Sequence, residues 1–232
     1  KKYENITPIV CVTAQHREML DQVLDTFGVT PDYDLDIMKS RQTLAGITTR
    51  VLEGMEDVLK KEMPDIVLVH GDTSTSFVAA LAAFYQQIPV GHVEAGLRTY
   101  DIYSPFPEEM NRQLTGRIAQ MHFSPTIRNF ENLVKENVDA DKIYITGNTV
   151  IDALKTTVKE NYEFENETLR KIDFENKRVI VVTAHRRENL GKPLEDICTA
   201  IADIVDEYGD VEVVYPVHLN PAVREVAWGI LG

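Results

Sequence analysis

The sequence predicts an α/β fold built on parallel strands, and three observations lead to that prediction. Short apolar runs rich in β-branched residues alternate with longer stretches of helical periodicity. The apolar runs are continuous rather than strictly alternating, which is typical of strands covered on both faces. Polar side chains collect directly after these runs, where the carboxyl ends of parallel strands meet. Repetition of strand, helix and strand in this way indicates βαβ units.

Each predicted strand is a short run with high β propensity, bounded by polar residues, glycine or proline. The predicted strands are Pro8–Thr13, Ile66–Val69, Val90–Val93, Ile143–Thr146, Arg178–Thr183 and Val211–Val217.

The stretches between these runs are predicted as helices. Asp72 and Thr73 provide capping side chains for the third helix. Pro107 stands at a favoured first-turn position, followed by Glu108 and Glu109 at the positive end of the helix dipole. The predicted helices are Arg17–Phe27, Leu44–Met63, Ser74–Gln87, Pro107–Gln120, Thr126–Asn137, Val150–Asn161 and Pro193–Tyr208.

A polar, highly charged segment at residues 162–177 divides the sequence. We predict an N-terminal domain at residues 1–165, a linker at 166–177 and the start of a second domain at 178–232. The second domain has two predicted strands, too few to close a core, so we expect it to be incomplete. The alternative is that residues 178–232 extend the first sheet.

Composition excludes several classes of protein. The 232 residues include 24 Lys and Arg against 37 Asp and Glu, a net charge of −13, which argues against binding to nucleic acid or to an anionic membrane. The longest apolar run, Phe77–Tyr85, is far shorter than the roughly 20 residues of a transmembrane helix. Cys11 and Cys198 form no disulfide framework, and we expect both to be buried thiols. The expectation is a soluble, cytoplasmic protein.

Familiar cofactor motifs are absent from the sequence. None of the six histidines stands in an H-x-x-x-H or H-x-H spacing, and neither a dinucleotide-binding G-x-G-x-x-G nor a P-loop occurs. We therefore expect no metal and no nicotinamide cofactor.

Carboxylates follow two of the predicted strands. Asp72 comes after the second strand and Glu94 continues the third, while Glu108 opens the helix after Pro107. Each has a structural alternative: a helix cap for Asp72, an ion pair with Arg98 for Glu94, and complementation of the helix dipole for Glu108.

Cationic and amide side chains follow the other strands. His185 and Arg186 come after the fifth strand, and this pair could hold a diphosphate, because Arg pairs bidentately with phosphate oxygens. The alternative is a salt-bridged loop with Glu188. Asn148 follows the fourth strand and His218 the sixth.

Several strings together identify a family. The strings are TAQHREMLDQVL (13–24), VHGDTSTS (69–76), GHVEAGLRTYD (91–101), SPFPEEMNRQLTG (104–116), HFSPT (122–126), ITGNTVIDAL (145–154), TAHRRENLG (183–191) and YPVHLNP (215–221). In these strings, which occur in the family's order, the chain resembles the bacterial non-hydrolysing UDP-N-acetylglucosamine 2-epimerases over nearly its whole length.

The resemblance implies a glycosyltransferase-B-like fold, with two Rossmann-like domains and parallel sheets. Family members begin with a strand and a G-T-R-P-E-like loop, and they continue into a D-S-G-G segment that holds uridine diphosphate. Neither occurs in these 232 residues, so we expect the chain to be truncated at both ends.

The implied reaction interconverts UDP-N-acetylglucosamine and UDP-N-acetylmannosamine by elimination and re-addition of UDP through a 2-acetamidoglucal. On this resemblance Asp72 and Glu108 transfer protons, Glu94 stabilises positive charge or orients a partner, and His185 and Arg186 hold the phosphates. Arg98 and Asn148 are further predicted substrate contacts.

Some members of the family need a second UDP-N-acetylglucosamine as an allosteric activator, and members commonly form homodimers. The residues that match the activator site are Gln15, Arg41, Gln42, Glu108, Arg186 and His218. The alternative functions are a hydrolysing epimerase, a glycosyltransferase of the same fold that uses a UDP-sugar, and a non-catalytic sugar-nucleotide binding module.

Overall fold

A computed structural model describes residues 3–14, 17–39, 42–186 and 189–232. The chain divides into two compact units, Lys1–Thr157 and Val158–Gly232. The segment 166–177, predicted as a linker, lies within the second unit and contains a short helix at Glu167–Arg170.

The first unit alternates strands and helices as the sequence predicts. Its strands are β1 (Cys11–Val12), β2 (Tyr33–Asp34), β3 (Val67–His70), β4 (Val90–Val93), β5 (Met121–Ser124) and β6 (Ile143–Ile145). Its helices are α1 (Arg17–Phe27), α2 (Leu44–Glu62), α3 (Ser74–Tyr85), α4 (Glu108–Ile118), α5 (Ile127–Lys135) and α6 (Thr149–Thr157).

All strand pairs of this unit are parallel. β1 pairs with β2, and β3, β4, β5 and β6 form a four-stranded sheet in that order. β2 and β5 were not predicted, because β2 has two residues and β5 alternates apolar with polar side chains. Its polar residues His122 and Ser124 point into the protein and are buried.

The main core of the first unit lies between the sheet and α2 and α3. Val51, Val78 and Val90 are fully buried there, and each buried aliphatic side chain contributes roughly 1.5–3 kcal/mol. Thr43 caps α2 by accepting a hydrogen bond from the main-chain N of Gly46, at 3.1 Å. Packing against α2 and α3 fixes one face of the sheet and so the position of the loops at its carboxyl edge.

The second unit has a parallel two-stranded sheet of its own. It consists of α7 (Glu167–Arg170), β7 (Arg178–Val181), α8 (Lys192–Glu207), β8 (Val211–Val214) and α9 (Pro221–Leu231). Within the described residues β7 pairs only with β8, so residues 178–232 do not extend the first sheet.

A small core joins α8 to α9, and it contains one of the two cysteines. Leu194, Cys198 and Val223 are fully buried in it, and burial raises the pKa of the Cys198 thiol. Cys11 on β1 is half-buried, and burial together with the charge of Asp34 raises its pKa to about 11. Among the described helices none is both long enough and apolar enough to cross a membrane.

Candidate functional site

The site is built where β3 ends. Gly71 follows His70 in a left-handed conformation (φ 70°), and its main-chain N donates to the Val93 oxygen at 2.9 Å. Nε2 of the buried His92 donates to the Gly71 oxygen at 2.8 Å. These bonds hold the turn that presents Asp72 just beyond the carboxyl edge of the sheet, where ligands bind in open parallel sheets.

Asp72 is not the cap of α3. Thr73 caps that helix, accepting from the Ser76 main-chain N at 3.2 Å. The Asp72 carboxylate instead forms an ion pair with Arg112, with Nη2 and Oδ2 2.5 Å apart, and its side chain is 23% exposed. The Asp72 main-chain oxygen accepts from Nδ2 of Asn111 at 2.9 Å. Asp72 is therefore held at both its side chain and its main chain.

Arg112 also binds Glu109, with Nη1 and Oε2 3.1 Å apart. Glu109 is fully buried, and its carboxylate accepts from the main-chain N of Thr99 and Tyr100 and from Nε2 of Gln113, each at 3.1 Å. Burial alone opposes its charge, but these hydrogen bonds outweigh that effect and lower the pKa of Glu109. Its carboxylate ties α4 to the 99–100 loop.

Glu94 lies at the end of β4 in a left-handed conformation (φ 66°), which is uncommon for a residue other than glycine. Its Oε1 accepts from Nδ2 of Asn148 at 3.1 Å. A Cβ at position 71 would lie 3.2 Å from Oε2 of Glu94, so Gly71 lets this carboxylate approach the β3 loop.

The pairing of Glu94 with Arg98 that the sequence left open is not the one formed. The Arg98 guanidinium donates to both carboxylate oxygens of Glu136, at 2.7 and 2.9 Å, and to the Leu97 main-chain oxygen at 2.7 Å. Its side chain is fully buried. Arg98 as a substrate contact stays a prediction, but each of its guanidinium nitrogens already has a partner.

The loop after β6 reaches the same edge. Asn148 bonds to Glu94, and Oγ1 of the next residue, Thr149, lies 3.0 Å from Nε2 of His70. The loops after β3, β4 and β6 are thereby linked by side-chain hydrogen bonds. Asp72, Glu94 and Asn148, predicted from separate motifs, share this edge of the sheet.

Glu108 is the first residue of α4 and is half-buried. No hydrogen bond or ion pair of its side chain is found within the described part of the chain. Glu108 and Arg112 are four residues apart on the helix and so lie on one face of it. The two adjacent glutamates, which the sequence treats alike, thus differ: Glu109 is a buried anchor and Glu108 keeps its carboxylate available.

In the second unit, His185 and Arg186 follow β7 and are exposed. The His185 ring stacks on that of His218, with centroids 4.9 Å apart and planes 25° apart. Nδ1 of His218 accepts from the Asn220 main-chain N at 3.0 Å. This stack joins the loops after β7 and β8. Glu188, the predicted ion-pair partner of this loop, lies outside the described residues.

Of the six residues matched to the activator site, Gln15 and Arg41 lie outside the described residues. Gln42 is half-buried, and its Oε1 accepts from Nη2 of Arg50 at 2.8 Å. Glu108, Arg186 and His218 are described above. Within the described residues, no group of three or more His, Cys, Asp or Glu is placed to hold a metal ion.

Arg112 and Glu109 were not among the predicted site residues. Their contact could have been predicted from the sequence, because Glu109 and Arg112 are three residues apart and side chains at this spacing can meet on a helix. The contact between Asp72 and Arg112 spans residues 40 positions apart, so helical spacing could not have revealed it.

A family model described as UDP-N-acetylglucosamine 2-epimerase matches residues 1–232. The chain belongs to this family. It is 62% identical over 228 residues to a putative UDP-N-acetylglucosamine 2-epimerase of Thermotoga maritima, covering 98% of this chain and 60% of the relative. It is 60% identical over 227 residues to the Bacillus subtilis UDP-N-acetylglucosamine 2-epimerase, covering 98% and 59%. The chain therefore spans about 60% of the length of these curated relatives.

Solved structures match the fold of this chain. The Neisseria meningitidis UDP-GlcNAc 2-epimerase bound to UDP-GlcNAc matches with a TM-score of 0.91 at 50% identity, over 99% of this chain and 63% of that one. The S. aureus MnaA–UDP co-structure matches with a TM-score of 0.90 at 53% identity, over 99% and 60%. The prediction of a glycosyltransferase-B-like α/β fold with parallel sheets is confirmed.

Proposed function

We propose that the complete protein interconverts UDP-N-acetylglucosamine and UDP-N-acetylmannosamine by inversion at C2. The observation that carries the proposal is the gathering of Asp72, Glu94 and Asn148 at one edge of the sheet, with α4 and its Glu108 tied to Asp72. Membership of the epimerase family supports the same activity, and so do the names of relatives that are 60% identical or more.

The chemistry explains why carboxylates are needed. The C2–H of the sugar is not beside a carbonyl, so direct removal of its proton is difficult. When the bond from C1 to the UDP oxygen breaks, C1 gains oxocarbenium character and the C2 proton becomes acidic. Loss of that proton gives 2-acetamidoglucal with UDP still bound. Protonation of C2 on the opposite face and re-addition of UDP to C1 complete the inversion without net redox change.

In this scheme Asp72 and Glu108 are the proton-transfer pair, because protons leave and return on opposite faces of C2. Both side chains are partly exposed and belong to segments that are tied together. Glu94 stabilises the positive charge at C1 or orients a neighbouring group through its contact with Asn148. Arg98 and Asn148 complete the proposed substrate contacts.

The leaving diphosphate needs cations. We assign that role to His185 and Arg186, whose side chains are exposed after β7. A guanidinium binds phosphate oxygens bidentately, and the stack on His218 holds the His185 ring in one orientation. The reaction as written needs no metal or nicotinamide.

The finer assignments also belong to the proposal. Gln15, Arg41, Gln42, Glu108, Arg186 and His218 form the proposed site for UDP-N-acetylglucosamine as activator. We further propose a cytoplasmic homodimer whose product enters cell-envelope polysaccharides, such as teichoic acid. Two free thiols without a disulfide framework suit a reducing compartment.

The test is proton NMR of UDP-N-acetylglucosamine with the complete protein in D2O. We expect deuterium at C2 and accumulation of UDP-N-acetylmannosamine. Asp72→Asn should slow the exchange about 10²- to 10⁴-fold while UDP affinity changes less than about threefold. Asp139→Asn is the matched control, since Asp139 is exposed and pairs only with the nearby Lys142 among the described residues.

Other results would replace the proposal with a different function. Free UDP and free N-acetylmannosamine indicate a hydrolysing epimerase. Release of UDP only when an acceptor is added indicates a glycosyltransferase. Binding without either signal indicates a sugar-nucleotide binding module.

A further inference from the structure

The two carboxylates of the proton-transfer pair belong to different segments, so something must fix their spacing. Asp72 stands in the loop between β3 and α3, whereas Glu108 begins α4. Two contacts join these segments: Asn111 donates to the Asp72 main-chain oxygen at 2.9 Å, and Arg112 pairs with the Asp72 carboxylate at 2.5 Å. Arg112 is the side chain that holds the reacting end of Asp72.

Arg112 is itself held from the opposite side. Its Nη1 donates to Glu109, which is fully buried and bonded to the main-chain N of Thr99 and Tyr100. The guanidinium therefore lies between one buried carboxylate that cannot move freely and one partly exposed carboxylate at the site. The Arg112 side chain is only 14% exposed.

Stability alone does not account for this arrangement. Burying an ion triad is costly, and apolar side chains of similar volume often stabilise a protein as well or better. Nε of Arg112 is buried and has no hydrogen-bond partner within the described residues, an additional cost. What the arrangement does provide is a fixed direction for the Asp72 carboxylate on the helix face that also carries Glu108.

We propose that Arg112, anchored by Glu109, is a positioning residue that sets Asp72 relative to Glu108 for proton transfer at C2. This inference rests on the proposed function. Proton transfer requires donor and acceptor in a near-attack geometry, and a displacement of about 1 Å can cost on the order of 100-fold in rate. Arg112 acts through Asp72 and is not assigned a contact with the substrate.

The test compares Arg112→Met, Arg112→Lys and a control, Arg117→Met, in the complete protein. Arg117 is on the same helix but is exposed, and it donates to the Glu136 main-chain oxygen at 2.9 Å. The rate of C2 deuterium exchange and the KM for UDP-N-acetylglucosamine are measured well below the melting temperature of each variant.

For Arg112→Met we expect kcat to fall about 100-fold with KM within about threefold of the unmodified protein. Arg112→Lys should recover about tenfold of that loss, because an ammonium can pair with Asp72 but cannot bridge two carboxylates in a fixed fork. Arg117→Met should leave both constants unchanged. A raised KM at constant kcat for Arg112→Met would overturn the inference, because it would mean direct substrate contact, and an unchanged kcat would overturn it as well.

A double variant separates positioning from general stabilisation. In the Asp72→Asn background, Arg112→Met should lower the residual exchange rate no further, since Arg112 acts through Asp72. Rate losses that multiply would overturn the inference.

The melting temperatures test the contact even without catalysis. The decreases in melting temperature caused by Asp72→Asn and Arg112→Met should not add in the double variant, and additive decreases would refute the contact between Asp72 and Arg112. If the unmodified protein shows no C2 exchange, the proposed function fails while this cycle still decides whether the contact exists.

Discussion

Arg98 and Arg112, two arginines of the first unit with largely buried side chains, differ in the partners of their guanidinium groups. Arg98 is fully buried, and its guanidinium is occupied by Glu136 and by the Leu97 main-chain oxygen. Arg112 is 14% exposed and is shared between the fully buried Glu109 and the partly exposed Asp72. Arg98 follows β4 in the chain, and Arg112 lies on α4.

The difference lies in the number of carboxylates that each guanidinium contacts. All three nitrogens of the Arg98 guanidinium bond to partners inside the fold, and the group thereby fixes the loop after β4. Arg112 instead bridges Glu109, which is fully buried, and Asp72, and so sets the direction of a carboxylate at the candidate site. Because the side chains of Glu136 and Asp72 are almost equally exposed, at 21% and 23%, the bridging of two carboxylates by Arg112 is what distinguishes the two arginines.

The largest expected effect on stability is that of Arg98→Met. Removing the cation leaves Glu136, whose side chain is only 21% exposed, without its bidentate partner. Breaking a buried pair from one side costs about 3–5 kcal/mol, and we expect that loss in the free energy of unfolding measured in urea.

Arg117→Met is the matched control, with an expected change below about 0.5 kcal/mol in the free energy of unfolding, since Arg117 is exposed and bonds to the main chain of the same Glu136.

The KM of folded Arg98→Met for UDP-N-acetylglucosamine tests the predicted substrate contact. A KM that stays constant would remove Arg98 from the binding set, and an unfolding free energy that stays constant would contradict the structural role.

The second prediction concerns two buried histidines of the same sheet, His92 on β4 and His122 on β5. Burial lowers the pKa of both His92 and His122 from 6.5 to about 4, although each has a main-chain contact that opposes the shift. Below pH 6.5 the unfolded chain takes up protons that the folded chain does not. Proton uptake by the unfolded chain favours unfolding, so the free energy of unfolding is highest above pH 6.5 and decreases as the pH falls towards 4.

Between pH 7 and pH 5 this effect amounts to about 2 kcal/mol for each histidine, measurable as a fall in the urea midpoint. His122→Gln should reduce the pH dependence by about half, because a neutral amide does not titrate. An unaltered slope would show that other groups control the acid sensitivity of this unit.

The smallest expected effects are those of substitutions at the adjacent residues Glu108 and Glu109. Glu109→Gln should lower the unfolding free energy by about 1–3 kcal/mol, because an amide cannot accept all the hydrogen bonds that this carboxylate accepts. Glu108→Gln should leave stability within about 0.5 kcal/mol of the original but should lower the C2 exchange rate. The reverse pattern would exchange the roles assigned to the two residues.

Much of the fold could be predicted from the sequence, because long periodic segments carry their own signal. α1 and β4 have the predicted bounds, Arg17–Phe27 and Val90–Val93. β5 was missed because His122 and Ser124 place polar groups on its buried face. β2 was missed because a two-residue strand has no measurable period. In both cases tertiary packing, not local preference, decides the structure.

The positions of several site residues could be predicted from the sequence, but the contacts between their side chains could not. Asp72, Glu94 and Asn148 stand at strand ends, and the rule for parallel sheets places such residues at one edge. What separates Glu109 from Glu108 is the direction of their side chains against the 99–100 loop, and no composition or spacing encodes that. The same holds for Arg98, whose partner Glu136 is 38 residues away.

The two native thiols have a practical consequence. Only thiolates react readily with alkylating dyes, and at pH 8 a group with a pKa of about 11, such as Cys11, is about one part in a thousand thiolate. Cys198 is fully buried, and its pKa is raised as well. A single cysteine introduced on the surface could therefore carry a fluorophore selectively, without prior removal of the natural ones.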